Sequence, residues 1–281
     1  MRIILQYLLP QHTLTRLFRY LIECRHTAIK NWMIKTFIKK YAVDMTIAQD
    51  SNIASYENFQ AFFIRRLRPG ARPLPIQPNI ICSPVDGAIL QYGEIQQGKM
   101  IEAKHYHYSF HQLIGHSQET PHALHHGRFL TAYLAPHDYH RFHMPVTGRL
   151  QAMRYIPGRL FSVNPTVVKQ IDQLFTRNER IVCFFETEHG PFILVMVGAM
   201  LVGSITTTWA GKITPPRATS VYENLYHDQA IHFKQGEELG YFSFGSTVIM
   251  ITPHDWQWSD TLSASQSIVM GQAIGNIPCT Q

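Results

Sequence analysis

The stretch FILVMVGAMLVGSITTTWAG, residues 192–211, decides the fold class. Its longest apolar run, 192–202, is too short to cross a bilayer, which takes about 20 residues, and Gly198 interrupts it. A short apolar run punctuated by glycine reads as buried β-strands. Outward from it, FLTAYLAP (129–136), RIVCFFET (180–187) and STVIMITP (246–253) repeat the same Val, Ile, Phe and Thr composition between Gly, Pro and Asp breakers. Helical signal after residue 80 is confined to 108–115 and 165–174. Upstream, four prolines in RPGARPLPIQP (68–78) dictate an extended strap, preceded by a short helix over 56–66. The expectation is an α+β chain with N-terminal amphipathic helices followed by a mainly β catalytic domain of barrel-sandwich-like antiparallel sheets. The division falls at 1–66 and 67–281.

Charge is concentrated at one end. Residues 1–40 carry eight Arg and Lys against Glu23 alone, a local excess of +7 in a chain whose formal charge is +6, so the other 241 residues sum to −1. Leu14, Leu17, Phe18, Leu21 and Ile22 follow helical spacing, and Ile29, Trp32, Met33 and Phe37 continue it in a second helix. Apolar residues on one face with Arg and Lys around them suit a helix lying in an anionic membrane interface. The same pattern also fits a helix packed on its own domain. Nucleic-acid motifs are absent. Pro10, His12, Arg16 and Arg19 interrupt the N-terminus too often for a signal peptide or a spanning helix. Cys24, Cys82, Cys183 and Cys279 lack disulfide-scaffold spacing, which favours a reducing compartment.

Three groups of residues invite chemistry. YLAPHDYHRFHMP (133–145) spaces His137, His140 and His143 three apart, so His140 and His143 share a side only if the chain turns between them. SPVDG (83–87) places Asp86 before Gly87, by itself a β-turn signature, but a carboxylate that holds one imidazole nitrogen raises the basicity of the other. Ser246 follows Gly245 at the head of an apolar strand. A serine hydroxyl needs such a base, and glycine permits a strained turn with an open carbonyl before it. Gly203-Ser204 shows that the dipeptide alone proves nothing.

In their order and spacing SPVDG, the histidine motif, FSVN (161–164), FGSTVI (244–249) and GQAIG (271–275) resemble bacterial phosphatidylserine decarboxylase. The resemblance spans essentially the whole chain, including the basic N-terminus and ITPPR (213–217). It implies a proenzyme that cuts itself into a β chain ending at Gly245 and an α chain starting at Ser246. It further implies a self-cleavage triad of Asp86, His143 and Ser246, with Ser246 becoming a pyruvoyl group, a covalent cofactor that forms a Schiff base with the substrate amine. His140 would position the carboxylate or return a proton, and Ser162 would help bind substrate. The implied partners are phosphatidylserine in an anionic membrane, the two chains of one precursor and a homodimer, with no nucleic acid. The implied location is the cytoplasmic face of the cell membrane, held peripherally. Phe244, Ala135 and His137 depart from the family pattern.

Two other readings remain at this level. A metal-dependent hydrolase would use His137, His140 and His143, although no HExxH or cysteine partner accompanies them. A non-catalytic β module recruited to membranes would stay uncut.

Overall fold

The computed structural model describes residues 6–7, 9–101, 107–115, 120–200, 204–214, 220–243 and 245–278. Phe244, Gly203, Cys279 and the PPR end of the 213–217 motif lie outside them.

Helix α1 (Gln11–Ile22) and helix α2 (Thr27–Tyr41) come first, then a short α3 (Phe59–Phe63) capped by the Asn58 side chain, which accepts from the Ala61 N–H. The single helix expected over 56–66 is thus shorter, because Asn58 starts it late. These elements pack into their own apolar cluster of Ile22, Ile34, Phe37, Tyr56, Phe59, Phe62 and Phe63. The apolar stripe of α1 divides between two environments. Ile22 is buried and Phe18 packs beside it, whereas Leu17, Tyr20 and Leu21 face outward at 60%, 66% and 49% exposure. On α2, Ile34 and Phe37 point inward while Ile29 and Trp32 are exposed. The packing reading therefore holds for one face of the stripe, and the other face is exposed. No helix among the described residues is long and apolar enough to cross a membrane.

The rest is built on antiparallel pairing, as the sequence led us to expect. The principal strands are β1 (Gly87–Gln96), β2 (Arg128–Leu134), β3 (Arg141–His143), β4 (Gly148–Ile156), β5 (Arg180–Thr187), β6 (Gly190–Val197), β7 (Ile205–Thr207), β8 (Glu238–Phe242) and β9 (Ser246–Thr252). The main sheet runs β4-β5-β6-β9-β2-β1, and a second sheet runs β7-β8-β3. All seven residues of β9 are buried, as is every residue of β6 after Pro191, because both faces of these central strands are covered. That is why their sequences are continuous apolar runs rather than alternating ones. The segment 192–211 resolves into β6 and β7, with Gly198 immediately after β6.

Candidate active site

Ser246 opens β9 and pairs with Leu134 at the end of β2. The side chain is wholly buried and its Oγ has no hydrogen-bond partner. Buried hydroxyls are normally satisfied, so an orphaned one calls for a functional explanation. On the other side of β2, Ala88 pairs with Tyr133, and a Cβ on Gly87 would lie 2.3 Å from the Tyr133 carbonyl oxygen. Only glycine allows that approach, which presses SPVDG against the strand end where Ser246 sits.

From Leu134 the chain turns through 135–139, tightened by the Ala135 N–H donating to Asp138 Oδ2 at 2.6 Å. It reaches His140, whose carbonyl accepts from the Phe242 N–H at 2.9 Å. Strand β3 then runs along β8 with His143 opposite Glu238, and the His143 N–H donates to the Pro84 carbonyl at 2.8 Å. The turn 135–139 leads from the main sheet to the second, and β8 of the second sheet precedes β9 of the main one. Three separate motifs, SPVDG, the histidine run and Gly245-Ser246-Thr247, are thereby gathered by backbone pairing alone.

His140 is fully buried, with its ring stacked on Phe63 at a centroid separation of 4.1 Å. Neither ring nitrogen has a partner in hydrogen-bonding geometry. Burial pushes its pKa down to about 3, and the Arg65 guanidinium acts in the same direction, while the nearby Ala135 and Pro136 carbonyls oppose them. His140 is thus a neutral imidazole with free lone-pair and N–H capacity. His143 is held at both nitrogens, with Nδ1 2.9 Å from the Gly236 carbonyl oxygen and Nε2 3.1 Å from the Tyr139 hydroxyl. A carbonyl only accepts, so Nδ1 carries the proton and Nε2 is the basic atom. Burial lowers the His143 pKa and raises that of Tyr139, which keeps the imidazole neutral and the phenol protonated.

Asp86 sits differently from the carboxylate-to-imidazole contact that the resemblance implies. Its oxygens are taken by Arg72, through Nη2 and through Nε at 3.0 Å, and by the Met270 N–H at 2.8 Å. Its charge still favours protonated His143, as one of several weaker influences behind burial. Ser162 is half-buried, its Oγ accepting from Asn164 Nδ2 at 3.2 Å. The adjacent Phe161 N–H donates to Asn178 Oδ1 at 3.0 Å, and Asn178 Nδ2 donates to the Gly198 carbonyl at 2.9 Å. Thr247 pairs with Val197, so Gly198 lies across from Ser246 and FSVN is tied to the strand beside it through Asn178.

Gly245 shows neither positive φ nor crowding, since a Cβ there would meet only the Leu134 carbonyl oxygen at 3.5 Å. The backbone strain that glycine would permit is therefore not present there. Sequence reasoning missed Arg72, Tyr139, Asn178 and Phe63. Asking which cation balances Asp86 would have drawn attention to Arg72 in the strap. The three histidines of the metal reading diverge: His137 is half exposed, His140 is inside, and both ring nitrogens of His143 are engaged. Among the described residues no group of three or more His, Cys, Asp or Glu is placed to hold a metal ion.

Fold and site together define a β-sheet enzyme centred on a buried serine at the start of an internal strand. The phosphatidylserine decarboxylase family model matches residues 59–276, and a second model, described as PSD, matches residues 1–42. Proteins named phosphatidylserine decarboxylase proenzyme are similar along almost their whole length. The one from Stutzerimonas stutzeri strain A1501 is 45% identical over 283 residues, covering 99% of this chain and 95% of its own. Those from Pseudomonas fluorescens Pf-5 and Ectopseudomonas mendocina are each 46% identical over 278 residues, covering 97% and 98% of this chain and 96% and 97% of their own. The chain belongs to the phosphatidylserine decarboxylase family, a family of carboxy-lyases.

Proposed function

We propose that this chain cleaves itself between Gly245 and Ser246 and then decarboxylates phosphatidylserine to phosphatidylethanolamine and CO2. The observation that carries the reading is the wholly buried, unpartnered Ser246 Oγ, gathered with the histidine run and SPVDG, in a chain whose relatives are named proenzymes. In maturation, the Tyr139 hydroxyl turns off His143 Nε2, Nε2 takes the Oγ proton, Oγ adds to the Gly245 carbonyl carbon, and the amide C–N bond gives way to an ester. Loss of the Ser246 Cα proton expels the Gly245 carboxylate; the enamine left behind takes up one water and releases ammonia. Water has a route to His143 through a basin lined by Arg66, Arg68, Arg72, Tyr139 and Glu238. The pyruvoyl group formed from Ser246 supplies an electron sink that binds the substrate amine and accepts the electron pair freed with CO2. His140, uncharged and unpartnered, positions the carboxylate and handles the proton that replaces it. Ser162 contributes to substrate binding.

Cleavage does not free the α chain. Strand β9 lies between β2 and β6, and 267–268 and 273–276 pair with β1 and 80–82. Intact-mass spectrometry under denaturing conditions is expected to show a break after Gly245 and an α chain lighter than a serine-started peptide by the serine-to-pyruvoyl change. Native gel filtration of the same sample is expected to give one peak containing both chains. A single uncut mass would sink the reading.

Residues 1–66 serve in this proposal as the membrane-associating region and 67–281 as the catalytic domain, held peripherally on the cytoplasmic face. Outward-facing Leu17, Tyr20, Leu21, Ile29 and Trp32 support it, with basic side chains between them. Leu17→Glu and Trp32→Glu are each expected to weaken sedimentation with anionic vesicles roughly tenfold or more, given about 2 kcal/mol per buried large apolar side chain. Unchanged binding by both variants would rule out these faces as the contact.

A further inference from the structure

We infer that Arg16 and Arg19 of α1 hold the phosphodiester of the lipid headgroup in a cleft beside Ser246, so that the membrane-facing helix also supplies the substrate's anion site. The inference deepens, and rests on, the proposed decarboxylation of a phospholipid. The cleft, small at about 50 Å³ of space open to a water-sized sphere, is walled on one side by His12, Arg16 and Arg19. Gly198 and Ser204 line its other side. Gly198 lies across from Ser246 in the β6–β9 register, and Ser204 Oγ is 2.6 Å from the Oγ of Ser243, three residues before Ser246. The cleft therefore ends against the segment that carries the reactive bond. In a serine phospholipid only an ester oxygen, a methylene and the α-carbon separate phosphorus from the amine. A headgroup whose amine reaches Ser246 thus leaves its phosphate in the neighbouring space.

The cations there are uncommitted. Arg16 makes no ion pair among the described residues. Arg19 has only a 3.7 Å contact with the half-exposed Glu23, and its buried Nε has no hydrogen-bond partner. Lys212 stands near enough for Arg19 to depress its pKa, behind the larger effect of burial and opposed by Glu23. The acid in the cleft wall, Glu179, is buried with its carboxyl pKa raised by that burial, and Tyr155 donates to its Oε1 at 3.0 Å. Around the His143 basin the arginines are already engaged, Arg66 by Glu238, Arg72 by Asp86 and Arg68 by the Ala48 carbonyl. The helix geometry fits as well. At about 100° per residue, Arg16 and Arg19 fall between the buried Thr15 and Ile22 and the outward Leu17, Tyr20 and Leu21. With those apolar side chains at the acyl boundary, the guanidinium groups lie at phosphate depth. Guanidinium suits a phosphodiester because it offers paired donors to two oxygens.

The test uses matured protein, with cleavage verified by mass, and two presentations of substrate. One is short-chain, water-soluble phosphatidylserine, and the other is long-chain phosphatidylserine in anionic vesicles. Arg16→Gln/Arg19→Gln is expected to raise KM for the soluble substrate roughly tenfold or more, with kcat within about twofold, and the Lys/Lys pair to recover part of the loss. A rise confined to vesicles would mean that the arginines attract bulk lipid phosphate and would overturn the inference, as would an unchanged KM in both. If the double variant fails to mature, Arg16→Gln alone carries the same comparison. Wild-type protein that is cut but inactive on both substrates would remove the decarboxylase reading itself, and the subsite with it.

Discussion

Ser246→Ala is expected to yield a single uncut chain without measurable decarboxylation at any substrate concentration. In the proposed maturation, loss of the hydroxyl removes both the group that attacks Gly245 and the atoms from which the carbonyl cofactor is made. The deficit should therefore reach or exceed the roughly million-fold drop seen when a nucleophile alone is deleted. The same change is predicted to leave the fold intact and to raise its stability. Ser246 Oγ is buried without a partner, and an unsatisfied buried polar atom costs about 1–3 kcal/mol. Alanine removes that cost and keeps the Cβ that packs in β9. Denaturant unfolding against a second uncut variant, His143→Gln, would show the gain. A cleaved product, retained activity, or a marked loss of stability in Ser246→Ala would each contradict this account. The stability cost carried by Ser246 is what a reactive group exacts when its surroundings are arranged for a step that has not yet occurred.

Strands, helices and site contacts were legible to different depths. The central strands announce themselves, because β6 and β9 are buried on both faces and their sequences are unbroken apolar runs. The basic helices were equally visible as helices, but not which apolar residues turn outward. Ile22 and Leu21 are neighbours in the same stripe, and only the packing of Phe59, Phe62 and Phe63 beneath α1 and α2 separates a core residue from an exposed one. The partner of Asp86 was hidden for a related reason. Local reasoning pairs a carboxylate with the most reactive nearby motif, whereas the strap of residues 68–78 delivers Arg72 to it from outside any regular element. Phe63 stacking on His140 also follows from tertiary approach alone. It has a structural consequence, because the helical region closes one wall of the site.

Arg72→Met is expected to destabilise the protein by about 3 kcal/mol and to slow self-cleavage. The Asp86 side chain is 7% exposed, and without Arg72 its remaining hydrogen-bond partner is the Met270 N–H. Breaking a buried pair from one side leaves an uncompensated charge, typically at 3–5 kcal/mol; the low end applies because Arg72 keeps some contact with water at 15% exposure. The damage should spread to chemistry through the backbone. Pro84, two residues before Asp86, accepts the His143 N–H, and Met270 lies on the far side of the proposed cut from Asp86. Stability is best measured by urea unfolding in the Ser246→Ala background, where a single uncut chain is compared throughout. Cleavage is followed separately with Ser246 present. Adding Asp86→Asn to Arg72→Met should restore more than half of the lost stability, since an amide oxygen still accepts from Met270 and no charge is stranded. It should not restore cleavage, because the carboxylate that favours proton uptake by His143 is gone. Recovery of both together would assign Asp86 a purely structural role, and recovery of neither would mean that Arg72 acts through contacts other than Asp86.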